Sequence, residues 1–331
     1  MRRLLTVLTA AALASPGSAE TNLALMAAPW TSDSPLELNL GSAFISADAD
    51  EGGAEIDLSA LAVSGRFRPD FDQRGQSGFG QFTIGGELDY LDIGGAAGGL
   101  LPERMTDQAV AVGAQLGTFQ AFDRAWAWGG SAGIGHASTL PFADDDGWYG
   151  LGAVYASTQL GDTATLMLGV DYDGNRVVFP DIPLPAVNYT ALLSDTLTVS
   201  LGFPVNALIW TPTDRLRVNL TLAGINPAAR VSYDLGEGQV LGGDIELFAR
   251  YGAGQITSHI NGDADDRRLF YTFSVLEAGL QIDTGSPLTF TVSGGYSFDQ
   301  AFERGFDLRE TDDIVELDDA AFFRVGGGLS F

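Results

Sequence analysis

The side chains of this 331-residue chain best suited to chemistry are its two histidines, His136 and His259, and a few clusters of carboxylates. His136 and Ser138 are two residues apart, which on a strand puts an imidazole and a hydroxyl on one face. With a carboxylate to orient the ring, that histidine could activate the serine as a nucleophile. His259 has no comparable partner and reads as a solvated loop residue. Beyond it, Asn261, Asp263 and Asp265 have the alternate-residue oxygen spacing of a calcium loop. Asp266 stands where such a loop needs Gly, and Thr272 where it needs Glu, so an EF-hand is rejected. Asp144, Asp145 and Asp146 make a second acidic run and Glu310 to Asp319 a third. Solvated loops are the default for all of these. There is no Walker loop, dinucleotide fingerprint or zinc motif, so no cofactor is assigned.

The elements that must position these residues follow from composition and pattern. Arg2 and Arg3 precede the short apolar run Leu4 to Ala14, and Gly17-Ser18-Ala19 supplies small residues before Glu20. That order is a secretory signal peptide over 1–19. The run is shorter than the roughly 20 residues of a spanning helix, and no other apolar run approaches that length. Cys is absent, which in an exported chain means no disulfides and no thiolate site. All 17 basic residues are Arg, against 43 Asp and Glu, so loss of Arg2 and Arg3 leaves 15 − 43 = −28. Such a field repels nucleic acid and concentrates cations.

After a short leader, 20–35, apolar residues recur at every second position. Leu36, Leu38, Leu40 and Phe44 share a face, as do Val110, Val112 and Leu116, and Phe290, Val292 and Tyr296. The same pattern predicts Trp126, Trp128 and Ile134 on one face, and likewise Tyr149, Leu151, Ala153 and Tyr155. Alternation is the primary strand signal, and no segment of the mature chain shows a sustained helical period. In Ile56 to Pro69 and in Leu269 to Asp283 the apolar phase slips, which predicts a β-bulge in each. Counting candidates gives fourteen strands, with twelve or sixteen as alternatives, since the Pro-containing stretch Gly174 to Ser194 has room for another hairpin. Connections alternate between long and short, and the even count puts both termini at one rim.

The last strand, Phe323 to Phe331, alternates Phe323, Val325, Leu329 and Phe331 with polar or small residues and stops on an aromatic ring. This ending resembles the C-terminal strand of bacterial outer-membrane β-barrel proteins, which closes the barrel and is read by the assembly machinery. The resemblance implies an all-β, antiparallel, up-and-down transmembrane barrel over 36–331 in the outer membrane of a Gram-negative cell. The 43 Gly and 34 aromatic residues (20 Phe, 9 Tyr and 5 Trp) suit such a wall. Asn188-Tyr189, Gly202-Phe203-Pro204, Trp210-Thr211-Pro212-Thr213-Asp214 and Gly294-Gly295-Tyr296-Ser297-Phe298 are similar to an uncharacterised family of these barrels.

In a membrane the apolar face meets lipid, because a charge there costs about 2–4 kcal/mol near the midplane. The interior is then lined by Glu37, Glu87, Asp89, Arg217, Arg230, Asp244, Glu246, Arg250, Glu277 and Arg324. These mixed signs allow a cation-favouring pore or a blocking network of Arg–carboxylate pairs. Tyr90, Trp126, Trp128, Tyr172, Trp210, Tyr251 and Tyr296 fit interfacial girdles. The His136-x-Ser138 spacing is similar to that of outer-membrane lipid A deacylases, whose site faces lipid, although Thr139 stands where that family has Asn. The leading expectation is a porin-like barrel that is a passive pore or a surface structural protein, and no enzyme. Its partners are outer-membrane lipid and lipopolysaccharide, which the acidic loops could bridge through divalent ions. The rivals are a lipid-modifying esterase and a soluble secreted β-sandwich or adhesin.

Overall fold

The computed structural model describes residues 35–49, 55–68, 82–95, 101–140, 142, 145–237, 243–260, 267–284 and 287–330. The expected signal peptide, nearly all of the leader, and Asp144, Asp263, Asp265 and Phe331 lie outside them. The strands are β1 (Leu36–Asp48), β2 (Glu55–Phe67), β3 (Thr83–Gly95), β4 (Arg104–Ala121), β5 (Arg124–Ser138), β6 (Trp148–Gln159), β7 (Ala164–Asp173) and β8 (Leu184–Ser194). They continue as β9 (Leu197–Phe203), β10 (Val205–Trp210), β11 (Leu216–Ala223), β12 (Asn226–Glu237), β13 (Asp244–His259) and β14 (Arg268–Asp283). β15 (Leu288–Gly305), β16 (Thr311–Leu317) and β17 (Ala320–Ser330) complete the chain.

All of them belong to one sheet, and β17 pairs with β1 from Ser330 opposite Glu37 to Phe322 opposite Ile45. The sheet is therefore a closed antiparallel barrel. β15 pairs with β16 along its upper part and with β17 along its lower part, so these two segments are one barrel strand. The ring then has 17 − 1 = 16 positions. The first residues of β1 and the last of β17 lie side by side at one rim, called here the lower rim.

Sixteen is the larger of the two alternatives to the fourteen counted, and the two additions are β8, within the 174–194 stretch that had room for more strand, and β10. β8 carries Pro185 inside a strand, and Pro183 and Pro185 read as loop signals, yet Val187, Tyr189 and Leu193 alternate outward in it. Around Pro204 the stretch 197–210 folds into a hairpin of two short strands, β9 and β10, in which Leu197 sits opposite Trp210. Because two strands were added together, the up-and-down parity is unchanged.

Strand lengths divide the wall. β4 and β15 have 18 residues each, whereas β9, β10 and β11 have 7, 6 and 8. The tall strands explain the phase slips. In β2, Leu61 and Val63 lie on the outward face, while Ile56 and Leu58, nearer the top, point inward and are 1% exposed. Pairing of β2 with β1 and β3 is continuous, so β2 has no bulge. In β14, Leu276 and Leu280 face out, and Leu269, Tyr271, Phe273 and Val275 face in. Here a bulge does lie alongside, but on β15, where Asp299 takes φ 50° between the pairs Ser274–Phe298 and Thr272–Ala301. In both strands the apolar side changes from outside to inside with height.

Those inward residues join Leu91, Ile93, Met105, Ile256, Phe302 and Phe322 in an apolar cluster that fills the upper lumen between the tall strands. On the outside at this level Asp57 and Asp92 are exposed. β6 is also turned relative to expectation. Tyr149, Leu151, Ala153 and Tyr155 face the interior, and Trp148 and Val154 are the exposed side chains.

Two structures cross the mouth. Beyond Gly252, β13 is no longer paired with β12, and its tip leans across to β5, where His259 is bridged to Ser138. Thr139 N–H donates to the His259 carbonyl at 3.1 Å and Ser258 Oγ to the Thr106 carbonyl at 3.0 Å. The connection between β7 and β8, residues 174–183, reaches the opposite wall. Leu308 N–H donates to the Val177 carbonyl at 3.0 Å, and the Arg309 guanidinium lies 4.0 Å from the Phe179 ring centre. Buried Arg268 donates to the carbonyls of Phe306 and Arg176 and so joins both loops. Burial alone would push the Asp307 carboxyl up, but hydrogen bonds from the Arg309 side chain and backbone hold it below the usual range.

A charge-assisted hydrogen bond contributes about 1.5–3 kcal/mol. Replacement Arg268→Ala is therefore expected to free the 174–183 crossing. An arginine-specific protease should then cut after Arg176 several times faster than in wild type, read by gel on the folded barrel.

Candidate functional site: the barrel interior

Below the apolar cluster the inward positions carry charge, and the pleat selects which residues these are. Glu37 on β1 is buried and accepts from Arg66 on β2 at 2.6 Å. Arg230 on β12 donates to Glu246 on β13 at 2.7 Å and to Gln281 on β14 at 3.1 Å. Its guanidinium also lies 4.2 Å from the Phe248 ring centre. Glu277 on β14 is shared. Arg250 on β13 and the Ser293 hydroxyl on β15 make short contacts to it, and Arg324 on β17 donates at 3.2 Å. These three groups link four adjacent barrel strands through one carboxylate. Glu87 and Asp89 share the inward phase of Leu91 on β3, and Arg217 and Asp244 lie exposed near the lower rim.

Under the 174–183 crossing is a second polar group. Tyr149 Oη donates to Asp107 Oδ1 at 2.6 Å, and Asn175 Nδ2 donates to Asp107 Oδ2 at 2.9 Å. Tyr149 reaches Asp107, two strands away, across Gly135. A Cβ at Gly135 would sit 2.1 Å from that ring, so only glycine leaves the path open. Asn175 N–H donates to Asp173 Oδ1 at 2.8 Å, and Arg176 pairs with Asp171 at 2.5 Å.

The His136–Ser138 pair is placed differently. Both residues are 0% exposed. The His136 ring lies between Phe142 and Trp148, at centroid distances of 5.4 and 4.9 Å. The Ser138 hydroxyl accepts the Leu140 N–H at 3.1 Å, a turn contact. A hydroxyl enclosed on the seam between β5 and the β13 tip offers an ester substrate no approach. Asp145 and Asp146 are exposed in a short 3-10 turn, and among the described residues no three His, Asp or Glu side chains converge on a point. Phe323 and Val325 face outward from β17, and Leu329 is half-buried.

Sequence reading missed Arg66, Asp107, Asp171, Asp173, Asn175 and Arg176. For the two aspartates of β7 the signal was present, since they alternate with Val170 and Tyr172. Asp107 has the same kind of signal on β4, the phase opposite to Val110 and Val112, but no residue of that strand was counted among the inward charges.

No family model matches the chain, and no curated protein matches it. Among solved structures it is similar to the toluene transporter TbuX of Ralstonia pickettii, at 10% identity over 100% of both chains and a TM-score of 0.38. It is also similar to the Pseudomonas putida toluene transporter TodX, at 11% identity over 96% of this chain and 95% of that one, with a TM-score of 0.37. An outer membrane channel from Pseudomonas putida F1 gives 8% identity over 92% and 97%, with a TM-score of 0.38. At such values the fold rests on the strand pairing, and nothing about solutes is transferred.

Leaving two guanidiniums without their shared carboxylate is expected to be costly. Glu277→Gln should destabilise the barrel by about 3–5 kcal/mol, as breaking buried pairs generally does, measured by urea unfolding in lipid vesicles. Wild type and Ser138→Ala, by contrast, should alike hydrolyse esters and thioesters no faster than buffer, measured by release of a chromogenic leaving group.

Proposed function

We propose that the chain is an outer-membrane β-barrel of the passive-pore type, closed at its outer mouth in the conformation described. The observation that carries this reading is the change of polarity along the tall strands. The lower part is apolar outside and ionic inside, as a barrel in lipid requires, because unpaired backbone and outward charge are both costly there. The upper part is polar outside and apolar inside, as a wall standing in water requires. The change of solvent supports a location across a membrane with the tall end projecting. Residues 1–19 supply the export signal of this reading.

In the lower lumen Glu37, Glu246 and Glu277 are paired with arginines, so that part of the interior has little excess of either sign. A preference for cations comes on this reading from the net charge of −26 over the whole chain. Solute passage is limited by the apolar cluster and the two crossings above it. That cluster also favours a second reading, a surface structural barrel that never conducts.

Fractionation and planar-bilayer recording test both. The protein is expected in the outer-membrane fraction, with heat-modifiable migration on a gel. Recovery in the soluble fraction would overturn the proposal. In bilayers, wild type should show rare, small, cation-favouring steps, and Phe302→Ala, which hollows the cluster, should make them larger and more frequent. Silence from both proteins would leave the structural reading in place.

A further inference from the structure

The polar group under the 174–183 crossing differs in kind from the ion pairs lower in the lumen. Asp107 and Asp173 are 4% and 2% exposed. Asp107 is held by neutral donors, the Tyr149 hydroxyl, the Asn175 amide nitrogen and the Gln108 backbone N–H. Asp173 accepts a backbone N–H, that of Asn175. Arg176, which follows, is committed to Asp171 and to the carbonyls of Asp171 and Ile182. Asn175 touches both carboxylates, one through its side chain and one through its backbone. It is 0% exposed, and its own Oδ1 has no hydrogen-bond partner.

These facts share one physical content. A buried carboxylate is stable when a positive charge or several strong donors face it, and a buried amide oxygen needs a partner of its own. Here two carboxylates and an amide oxygen belong to one enclosed group of side chains, and the guanidinium beside them is engaged elsewhere. All three supply hard oxygen donors, and the carboxylates together carry two negative charges. Oxygen donors of this kind select hard cations, and flexible mixed carboxylate and amide sets suit calcium better than the strict octahedron of magnesium.

We propose that Asp107, Asp173 and Asn175 bind one hard divalent cation of the calcium class, with the Tyr149 ring beside it. Asp107 belongs to β4, Asp173 ends β7 and Asn175 begins the crossing. The ion therefore fastens the crossing to both strands, and its release loosens the cover over the mouth. Asp145 and Asp146, in the exposed turn, take no part.

Full-length protein folded in detergent micelles, stripped with a chelator, is titrated with calcium by calorimetry and with terbium by luminescence excited through tyrosine. One ion per chain is expected in wild type, with terbium emission that calcium displaces. Asp173→Asn and Asn175→Ala should each weaken calcium by about tenfold or more, the scale seen when metal-site partners are removed. The double variant Asp145→Asn with Asp146→Asn should bind as wild type does. Heat-modifiable migration shows which variants are folded, and Asn175→Ala, which leaves both charges in place, keeps the test available if Asp173→Asn fails to fold. The proposal is overturned if stripped wild type binds neither ion. It is equally overturned if binding survives Asn175→Ala unchanged, or falls only in the double variant at the exposed turn.

Discussion

The backbone ladder between β1 and β17 is the interaction on which the rest of this molecule depends. It joins the first described strand to the last over nine consecutive pairs, from Glu37–Ser330 to Ile45–Phe322. Without it the sheet has two long free edges, and in a membrane each free N–H and C=O would face hydrocarbon. Closure also fixes which face is inside, since a shift of one residue would turn every side chain of β17 to the other face. Phe323 and Val325 are then outside and Arg324 inside, where it meets Glu277. The ion pairs of the lumen thus follow from a register set at the seam. Loss of that register would bury Phe323 among charges and, under the proposed location, place Arg324 in lipid.

Once the ring is closed, solvent decides the rest. A strand of ten residues crosses a bilayer, and β4 and β15 are nearly twice that length. Their upper ends stand in water under the proposed location, so the rule for apolar residues reverses. Ile56 and Leu58 turn inward on the same strand whose Leu61 and Val63 turn outward. No irregularity of β2 is needed, because the pleat continues and only the residue types change sides. The short strands β9 to β11 have no such extension, which leaves the upper edge of β13 without a neighbour from β12. An open edge is satisfied by whatever backbone it can reach, and here the tips of β4 and β5 supply it.

Much of this was legible in the sequence, and the failures have physical causes. Alternation located the barrel strands from Leu36 onward and the outward faces of nearly all of them. The inverted face of β6 was not legible, since Tyr149 and Tyr155 look apolar by type while the Tyr149 hydroxyl serves an internal carboxylate. β8 and β10 were hidden by prolines, which mark loops more often than strands. The phase slips were visible but misassigned, because a bulge and a change of solvent leave the same trace in a one-dimensional pattern. Distinguishing them needs the polarity of the opposite face. Asp57 and Asp92, outward at the level where Ile56, Leu58, Leu91 and Ile93 turn inward, carried that information. His136 and Ser138 were a local pattern whose meaning depended on enclosure, and enclosure comes from Phe142, Trp148 and the distant tip of β13.

The division of the interior into an ionic lower part and an apolar upper part bears on how such a barrel can be shut without a separate plug domain. Charged side chains alone make a poor seal, because water and small ions can exchange among guanidiniums and carboxylates. A dry seal requires apolar packing, and apolar inward residues are affordable only where the outer face can be polar. That condition fails within the membrane and holds above it. Under the proposed function the seal therefore belongs in the projecting part of the wall, and the residues that would build it, Phe273, Phe302 and Phe322 among them, come from the tall strands. The 174–183 crossing completes the closure on the side where the strands are short and have no projecting wall to contribute. Its anchors, Arg268 on one side and the Asp107–Asn175 contact on the other, are polar because a loop carries its backbone groups with it and each enclosed one needs a partner.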